Sequence, residues 1–119
     1  MEYINYIIPA LLVAWLVVRI LPTKGVRQIT TAELRKELKD KSKIYVDVRT
    51  PGEFSSNHIK GFKNIPLQIL AQNTKELSKE KEIVVICQSG MRSNKACKVL
   101  KKHGFDKVTN VKGGMSAWV

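Results

Sequence analysis

The sequence predicts an α/β domain whose central sheet is mostly parallel. Helical and strand patterns alternate from about residue 29 to the end of the chain, which is typical of this fold class. Residues 83–86 form an unbroken run of β-branched side chains, and such a run favours a strand buried on both faces of a parallel sheet. Polar residues also gather directly after two of the predicted strands, at the sheet edge where sites form in such folds.

The N-terminal segment predicts an uncleaved transmembrane helix over residues 1–22. Residues 3–22 are predominantly apolar, and 20 residues in a helix reach about 30 Å, which matches the hydrocarbon core of a bilayer. Tyr3 and Tyr6 suit one membrane interface, and Arg19 lies near the other end. A cleaved signal peptide is the alternative, but it favours a basic leader and small residues at a cleavage site, whereas the leader here is acidic.

The positive charge of the chain lies after this segment. The net charge is +11, and the only charged residues within 1–22 are Glu2 and Arg19, which cancel. A short basic linker over residues 23–28 follows, so the positive-inside rule predicts a single-pass protein of the cell membrane with its domain in the cytoplasm. The charge can attract anionic lipid, small anionic substrates or nucleic acid. Membrane lipid needs the fewest assumptions, and no nucleic acid is expected because aromatic residues are not interleaved with the basic ones.

Capping and breaker residues predict the elements of the domain over residues 29–119. Thr30 and Glu33 match a capping box that opens a helix. A strand over 44–48 ends before Pro51-Gly52, and helical pieces follow over 53–57 and 67–73. After the strand over 83–86, a helix over 93–103 ends in cations and Gly104. A last strand over 107–111 precedes a short terminal piece.

The loop from Cys87 to Ser93 joins the buried strand to the following helix. A cysteine there faces the positive end of the helix dipole and the unpaired amides of its first turn. Gly90 lets the backbone curl into an anion-binding nest, and Arg92 adds a positive charge. These features favour the thiolate and predict a nucleophilic Cys87. The alternative is a buried strand-end cysteine with an incidental glycine and arginine nearby.

Several further motifs accompany this loop. In chain order they are Asp47-Val-Arg49, Glu53-Phe54, His58-Ile-Lys-Gly61, Asn64-Ile-Pro66, Cys87-Gln88-Ser89-Gly90-Met91-Arg92 and Gly113-Gly114 with Trp118. With these motifs, residues 26–119 resemble the rhodanese (thiosulfate sulfurtransferase-like) family. The resemblance implies a rhodanese-like α/β/α domain in which Cys87 carries a persulfide and the amides of residues 88–93 cradle it. Asp47, Arg49 and Glu53 would support the site.

The length of the loop separates two chemistries. Related folds with five residues between the cysteine and the arginine resemble phosphatases or arsenate reductases, whereas four residues separate Cys87 from Arg92. The shorter spacing favours a sulfurtransferase that takes sulfane sulfur from an anionic donor, such as thiosulfate or a persulfide, and passes it to a thiol or protein acceptor. A non-catalytic, membrane-tethered binding module is the other alternative.

The remaining candidates have structural interpretations. Asp47 can cap the turn after its strand, and Arg49 and Glu53, four residues apart, are expected to pair. His58 is expected to stabilise a turn and Cys97 to pack in the core. No metal-ligand cluster and no dinucleotide-binding motif is present in the sequence, so neither a metal nor a cofactor is expected.

Overall fold

The computed structural model describes residues 3–20 and 24–118. It contains one five-stranded sheet in which every neighbouring pair of strands is parallel. The strands are β1 (Arg27–Ile29), β2 (Ile44–Asp47), β3 (Lys63–Asn64), β4 (Ile83–Ile86) and β5 (Val108–Val111), in the spatial order β1-β5-β4-β2-β3. The predicted α/β fold with a parallel central sheet is therefore confirmed.

Helices lie before, between and after the strands. They are α1 (Ile4–Ile20), α2 (Thr31–Glu37), α3 (Pro51–Ser56), α4 (Leu67–Leu70), α5 (Met91–Lys102) and α6 (Gly114–Ala117), with a 3-10 segment over Ala71–Glu76. Thr30 and Glu33 form the predicted capping box of α2. A second capping box, from Thr50 and Glu53, starts α3 at Pro51, two residues before the predicted start. These reciprocal bonds satisfy amides that a helix leaves unpaired at its first turn.

The core lies on both faces of the sheet. All four residues of β4 are fully buried, as the apolar run predicts. Ile83 and Val85 pack in one cluster with Leu100 of α5, while Val84 and Ile86 pack in a second cluster that includes Leu34 of α2 and Met115 of α6. The sheet therefore holds β2, β4 and β5 rigidly, with their carboxyl ends at one edge.

The N-terminal helix α1 does not support the predicted transmembrane span. Its described residues run from Ile4 to Ile20. In the ranges 3–20 and 24–118, no helix is both long enough and apolar enough to cross a membrane. Residues 1, 2, 21 and 22, and the side chain of Arg19, lie outside the described part of the chain. The cytoplasmic orientation stays a prediction.

Two of the strands were not predicted from the sequence. β1 begins at Arg27, inside the predicted linker, and pairs with β5. β3 comprises only two residues and pairs with the end of β2. Such short segments carry too few residues for a periodic pattern, and only pairing with distant parts of the chain makes them strands.

Candidate active site

The Cys87 loop follows β4 at the carboxyl edge of the sheet. Cys87 is fully buried, and the backbone amide of Gly90 donates a hydrogen bond to its Sγ at 3.0 Å. Gly90 has a φ of 100°, a conformation that glycine adopts without steric cost. The loop thus curls back so that an amide points at the sulfur, as predicted from the position of this glycine.

The C-terminal segment holds the loop from the other side. The amide of Met115 donates to the Cys87 carbonyl at 2.8 Å, and the amide of Ser116 donates to the Gln88 carbonyl at 2.9 Å. This approach requires glycine at position 114, because a Cβ there would lie 2.2 Å from the Cys87 carbonyl oxygen. The closing glycine motif therefore holds the backbone of Cys87 in place, a role that the sequence alone does not show.

Arg49 pairs with Asp47 and not with Glu53, so the predicted Arg49–Glu53 pair is wrong. The Arg49 Nη2 lies 2.9 Å from the Asp47 Oδ2, and both side chains are at most 3% exposed. Asp47 also accepts the Arg49 amide at 3.0 Å, as expected for a residue that caps its turn. The guanidinium reaches onward to the Asn57 carbonyl at 2.6 Å and to the Gln88 Oε1 at 3.3 Å. This buried pair therefore links the end of β2 to the Cys87 loop.

Glu53 pairs instead with Arg92 of the loop. The two side chains form a bidentate pair, with Nη1–Oε1 at 2.6 Å and Nη2–Oε2 at 2.9 Å. The hydrogen bonds from Arg92 lower the pKa of Glu53 to about 2, and Glu53 in turn raises the pKa of Arg92. The charge of Arg92 is thus compensated. The sequence separation of 39 residues explains why local spacing suggested the wrong partner.

A buried polar network on the other side of Cys87 contains two residues that the sequence analysis missed. The Ser93 hydroxyl lies 3.3 Å from the Cys87 Sγ and 2.5 Å from the Asn110 Oδ1. The Asn110 Nδ2 donates to the Gln28 Oε1 at 2.9 Å. Asn110 in the buried strand β5 is the feature of the sequence that could have indicated this network, because a buried polar side chain needs hydrogen-bond partners.

A cavity of about 390 Å³ borders the outer side of the loop. It is lined by Leu67, Met91, Arg92, Asn94, Lys95 and Lys98. Met91 is 67% exposed, and the two lysines are exposed on α5. Within the described residues, neither lysine forms an ion pair with a carboxylate. The mouth of the loop therefore carries uncompensated positive charge next to apolar side chains.

His58 and Cys97 have structural positions. The His58 Nδ1 lies 2.9 Å from the Phe54 carbonyl oxygen, and the two rings stack at 4.0 Å. Cys97 is buried in the core beside α5 neighbours, and burial, with a smaller effect of Cys87, raises the pKa of its thiol to about 12. Both placements match the expected roles. Among the side chains that the structure describes, no three metal-ligating groups converge.

Comparison with known proteins gives one consistent match. Residues 30–119 match the family model of the rhodanese-like domain. The chain is 33% identical to a sulfurtransferase of Allochromatium vinosum, covering 78% of this chain and 88% of that one. It is 38% identical to a putative sulfurtransferase of Bacillus subtilis, with 78% and 90% covered. A crystal structure of a rhodanese-like domain protein from Staphylococcus aureus superposes with a TM-score of 0.73 at 36% identity, covering 79% and 92% of the two chains.

Proposed function

Because the chain belongs to the rhodanese-like domain family, we propose that it is a sulfurtransferase in which Cys87 carries sulfane sulfur as a persulfide. One observation carries the proposal. The loop places four residues between Cys87 and Arg92, and it aims the Gly90 amide at the Cys87 Sγ. That short cradle suits a single sulfur atom bound to the cysteine, since an amide hydrogen bond stabilises a negatively charged sulfur.

The reaction proceeds in two displacements. The Cys87 thiolate attacks the outer sulfur of an anionic donor such as thiosulfate, the sulfur–sulfur bond of the donor breaks, and sulfite leaves with the bonding electron pair. Cys87 then holds the transferred atom as a persulfide. A thiophilic acceptor, either a thiol or a protein, attacks the terminal sulfur, and the Cys87 thiolate is regenerated.

The charge distribution supports an anionic donor. Arg92 is neutralised by Glu53, so the attraction comes from Lys95 and Lys98 at the cavity beside the loop. Exposed lysines of this kind raise the local concentration of small anions, and salt weakens the effect. The Michaelis constant for thiosulfate should therefore rise with ionic strength.

Mass spectrometry of the full chain after exposure to thiosulfate tests the proposal. We expect a gain of one sulfur atom, localised to Cys87 by peptide mapping, and release of thiocyanate when cyanide is added. Cys87→Ser should abolish both results, because an alcohol is not ionised at neutral pH. Cys97→Ser is the matched control and should retain most activity, since the Cys97 thiol is buried and protonated at neutral pH.

Three results would contradict the proposal. A folded protein that gains no sulfur and releases no thiocyanate would be a non-catalytic binding module. Efficient turnover of aryl phosphates would instead indicate phosphatase chemistry in the same loop. Equal loss of activity in Cys97→Ser and Cys87→Ser would replace the single-cysteine mechanism with a two-thiol relay.

A further inference from the structure

A chain of polar side chains runs from Cys87 to the first strand of the sheet. The Cys87 thiol donates to the Ser93 Oγ at 3.3 Å, the Ser93 hydroxyl donates to the Asn110 Oδ1 at 2.5 Å, and the Asn110 Nδ2 donates to the Gln28 Oε1 at 2.9 Å. Ser93 is fully buried and Asn110 is 4% exposed. Every donor in this chain points away from the sulfur.

The far end of the chain is incomplete. Among the residues that the structure describes, the buried Gln28 Nε2 has no hydrogen-bond partner. An unpartnered buried N–H group is rarer in proteins than an unpartnered carbonyl oxygen. If both amides turn over, the Gln28 Nε2 donates to the Asn110 Oδ1, and the Asn110 Nδ2 donates to the Ser93 Oγ. The Ser93 hydroxyl can then donate either to the Gly90 carbonyl, 3.1 Å away, or to the Cys87 sulfur, and a negatively charged sulfur is the stronger acceptor. Reversal gives the Gln28 amide a partner and leaves only its carbonyl oxygen unpartnered.

We propose that Gln28, Asn110 and Ser93 form a reversible hydrogen-bond chain that points away from the Cys87 thiol and toward the Cys87 thiolate or persulfide. A negatively charged sulfur only accepts hydrogen bonds, so it is stabilised by donors. The Gly90 amide supplies one donor, and the reversed Ser93 hydroxyl supplies a second. The proton that Cys87 loses passes to a base in solvent, and the amides rotate without exchanging protons. Gln28 and Asn110 are therefore positioning residues that act through Ser93.

Other groups also bear on the ionisation of Cys87 but lie outside this chain. Arg92 and Cys97 face it from α5, and the buried Asp47–Arg49 pair follows β2. Arg92 is held by Glu53, and Cys97 remains protonated well above neutral pH because burial raises its pKa to about 12. Substitutions within the chain leave these groups in place, so a shift in Cys87 ionisation reports on the chain itself.

The test measures how the rate of Cys87 alkylation by iodoacetamide depends on pH in the full chain, with the product assigned to Cys87 by peptide mapping. The role of the hydrogen-bond chain in catalysis rests on the proposed sulfurtransferase function. Alkylation of Cys87 requires no sulfur transfer, so the experiment can reject the hydrogen-bond chain without rejecting the sulfurtransferase function, and the reverse. In Ser93→Ala the thiolate loses a charge-assisted donor, and the midpoint should rise by about one pH unit. If the hydrogen-bond chain were fixed in the observed direction, the midpoint in Ser93→Ala should fall instead, because only the Cys87 thiol would lose a hydrogen-bond partner.

A second variant tests the chain at its far end. In Gln28→Glu the carboxylate only accepts from Asn110, so it holds the chain pointing away from the sulfur and should raise the midpoint. The same substitution in the Ser93→Ala background should give a smaller rise, since only the Coulombic effect of the new charge remains. Thr109→Val, at a buried position of β5 outside the chain, is the control and should leave the midpoint unchanged. A lower or unchanged midpoint in Ser93→Ala, or equal rises for Gln28→Glu in both backgrounds, would overturn the proposal.

Discussion

Removing one charge of the buried pair of Asp47 and Arg49 should reduce the stability of the domain more than removing a charge from an exposed pair. Asp47 accepts four hydrogen bonds from Arg49, one from the backbone amide and three from the guanidinium, at 2.9 to 3.1 Å. The side chains are only 1% and 3% exposed. Asp47→Asn keeps the shape of the residue but places an amide donor against guanidinium donors and leaves a buried positive charge unpaired.

The expected loss is large. Removing one partner of a buried ion pair costs about 3–5 kcal/mol, against a total stability of about 5–15 kcal/mol for a domain. At about 4 °C or more per kcal/mol for a domain of this size, the melting temperature should fall by at least about 12 °C. Thermal unfolding followed by circular dichroism or calorimetry measures this difference.

Two further variants make the test specific. Glu76→Gln breaks the exposed pair with Lys63, whose side chains are 51% and 54% exposed, and should cost less than about 1 kcal/mol. Adding Arg49→Met to Asp47→Asn removes the unpaired charge and should recover part of the loss. If Asp47→Asn melts within a few degrees of Glu76→Gln, the pair is not effectively desolvated and the reasoning fails.

Two other predictions concern the contacts of the loop. Gly114→Ala should destabilise the protein by about 2–6 kcal/mol and impair Cys87 reactivity, because the left-handed backbone and the overlap with the Cys87 carbonyl each cost about 1–3 kcal/mol. The control is Gly52→Ala, because a Cβ at that position meets nothing within 4 Å. Its free energy of unfolding in urea should change by less than about 1 kcal/mol. Equal losses of stability in the two variants would contradict the steric argument. Glu53→Gln should cost about 0.5–1 kcal/mol at pH 7, since the pair with Arg92 is partly exposed. Arg92 lowers the pKa of Glu53 from 4.5 to about 2. The difference in stability between wild type and Glu53→Gln should therefore be present above pH 4.5 and disappear as the pH falls toward 2. A constant difference in stability across that range would refute the role of the Glu53 charge.

Local patterns were sufficient for the elements that form the centre of the site. The capping box at Thr30 and the end of α5 at Gly104 involve hydrogen bonds between residues close in sequence. The strand β4 is recognised from its own continuous β-branched run. The Cys87 loop is equally local, since the strand before it, the helix after it and Gly90 within it all follow from adjacent sequence. The position of Cys87 after β4 and the curl of its loop were therefore predictable.

The transmembrane prediction for residues 1–22 did not rest on local signals of this kind. Hydropathy reports that a segment is apolar but does not determine where its helix begins and ends. The described helix runs over Ile4–Ile20, and among the described residues no helix is both long enough and apolar enough to cross a membrane.

The α/β class, the buried strand β4 and the curl of the Cys87 loop can be inferred from the sequence, because they depend on side-chain periodicity and on neighbours close in the chain. The partners become visible only in the folded domain: Arg49 pairs with Asp47, Arg92 with Glu53, Ser93 with Asn110, Asn110 with Gln28, and Gly114 lies against the Cys87 carbonyl. The ends of β2, β4 and β5 and the C-terminal segment surround the Cys87 loop, and the bond between Asn110 and Gln28 extends this network to β1 across 82 residues. Parallel strands bring such positions together only after the crossover helices have packed, so the contacts that tune the sulfur follow from the assembled sheet.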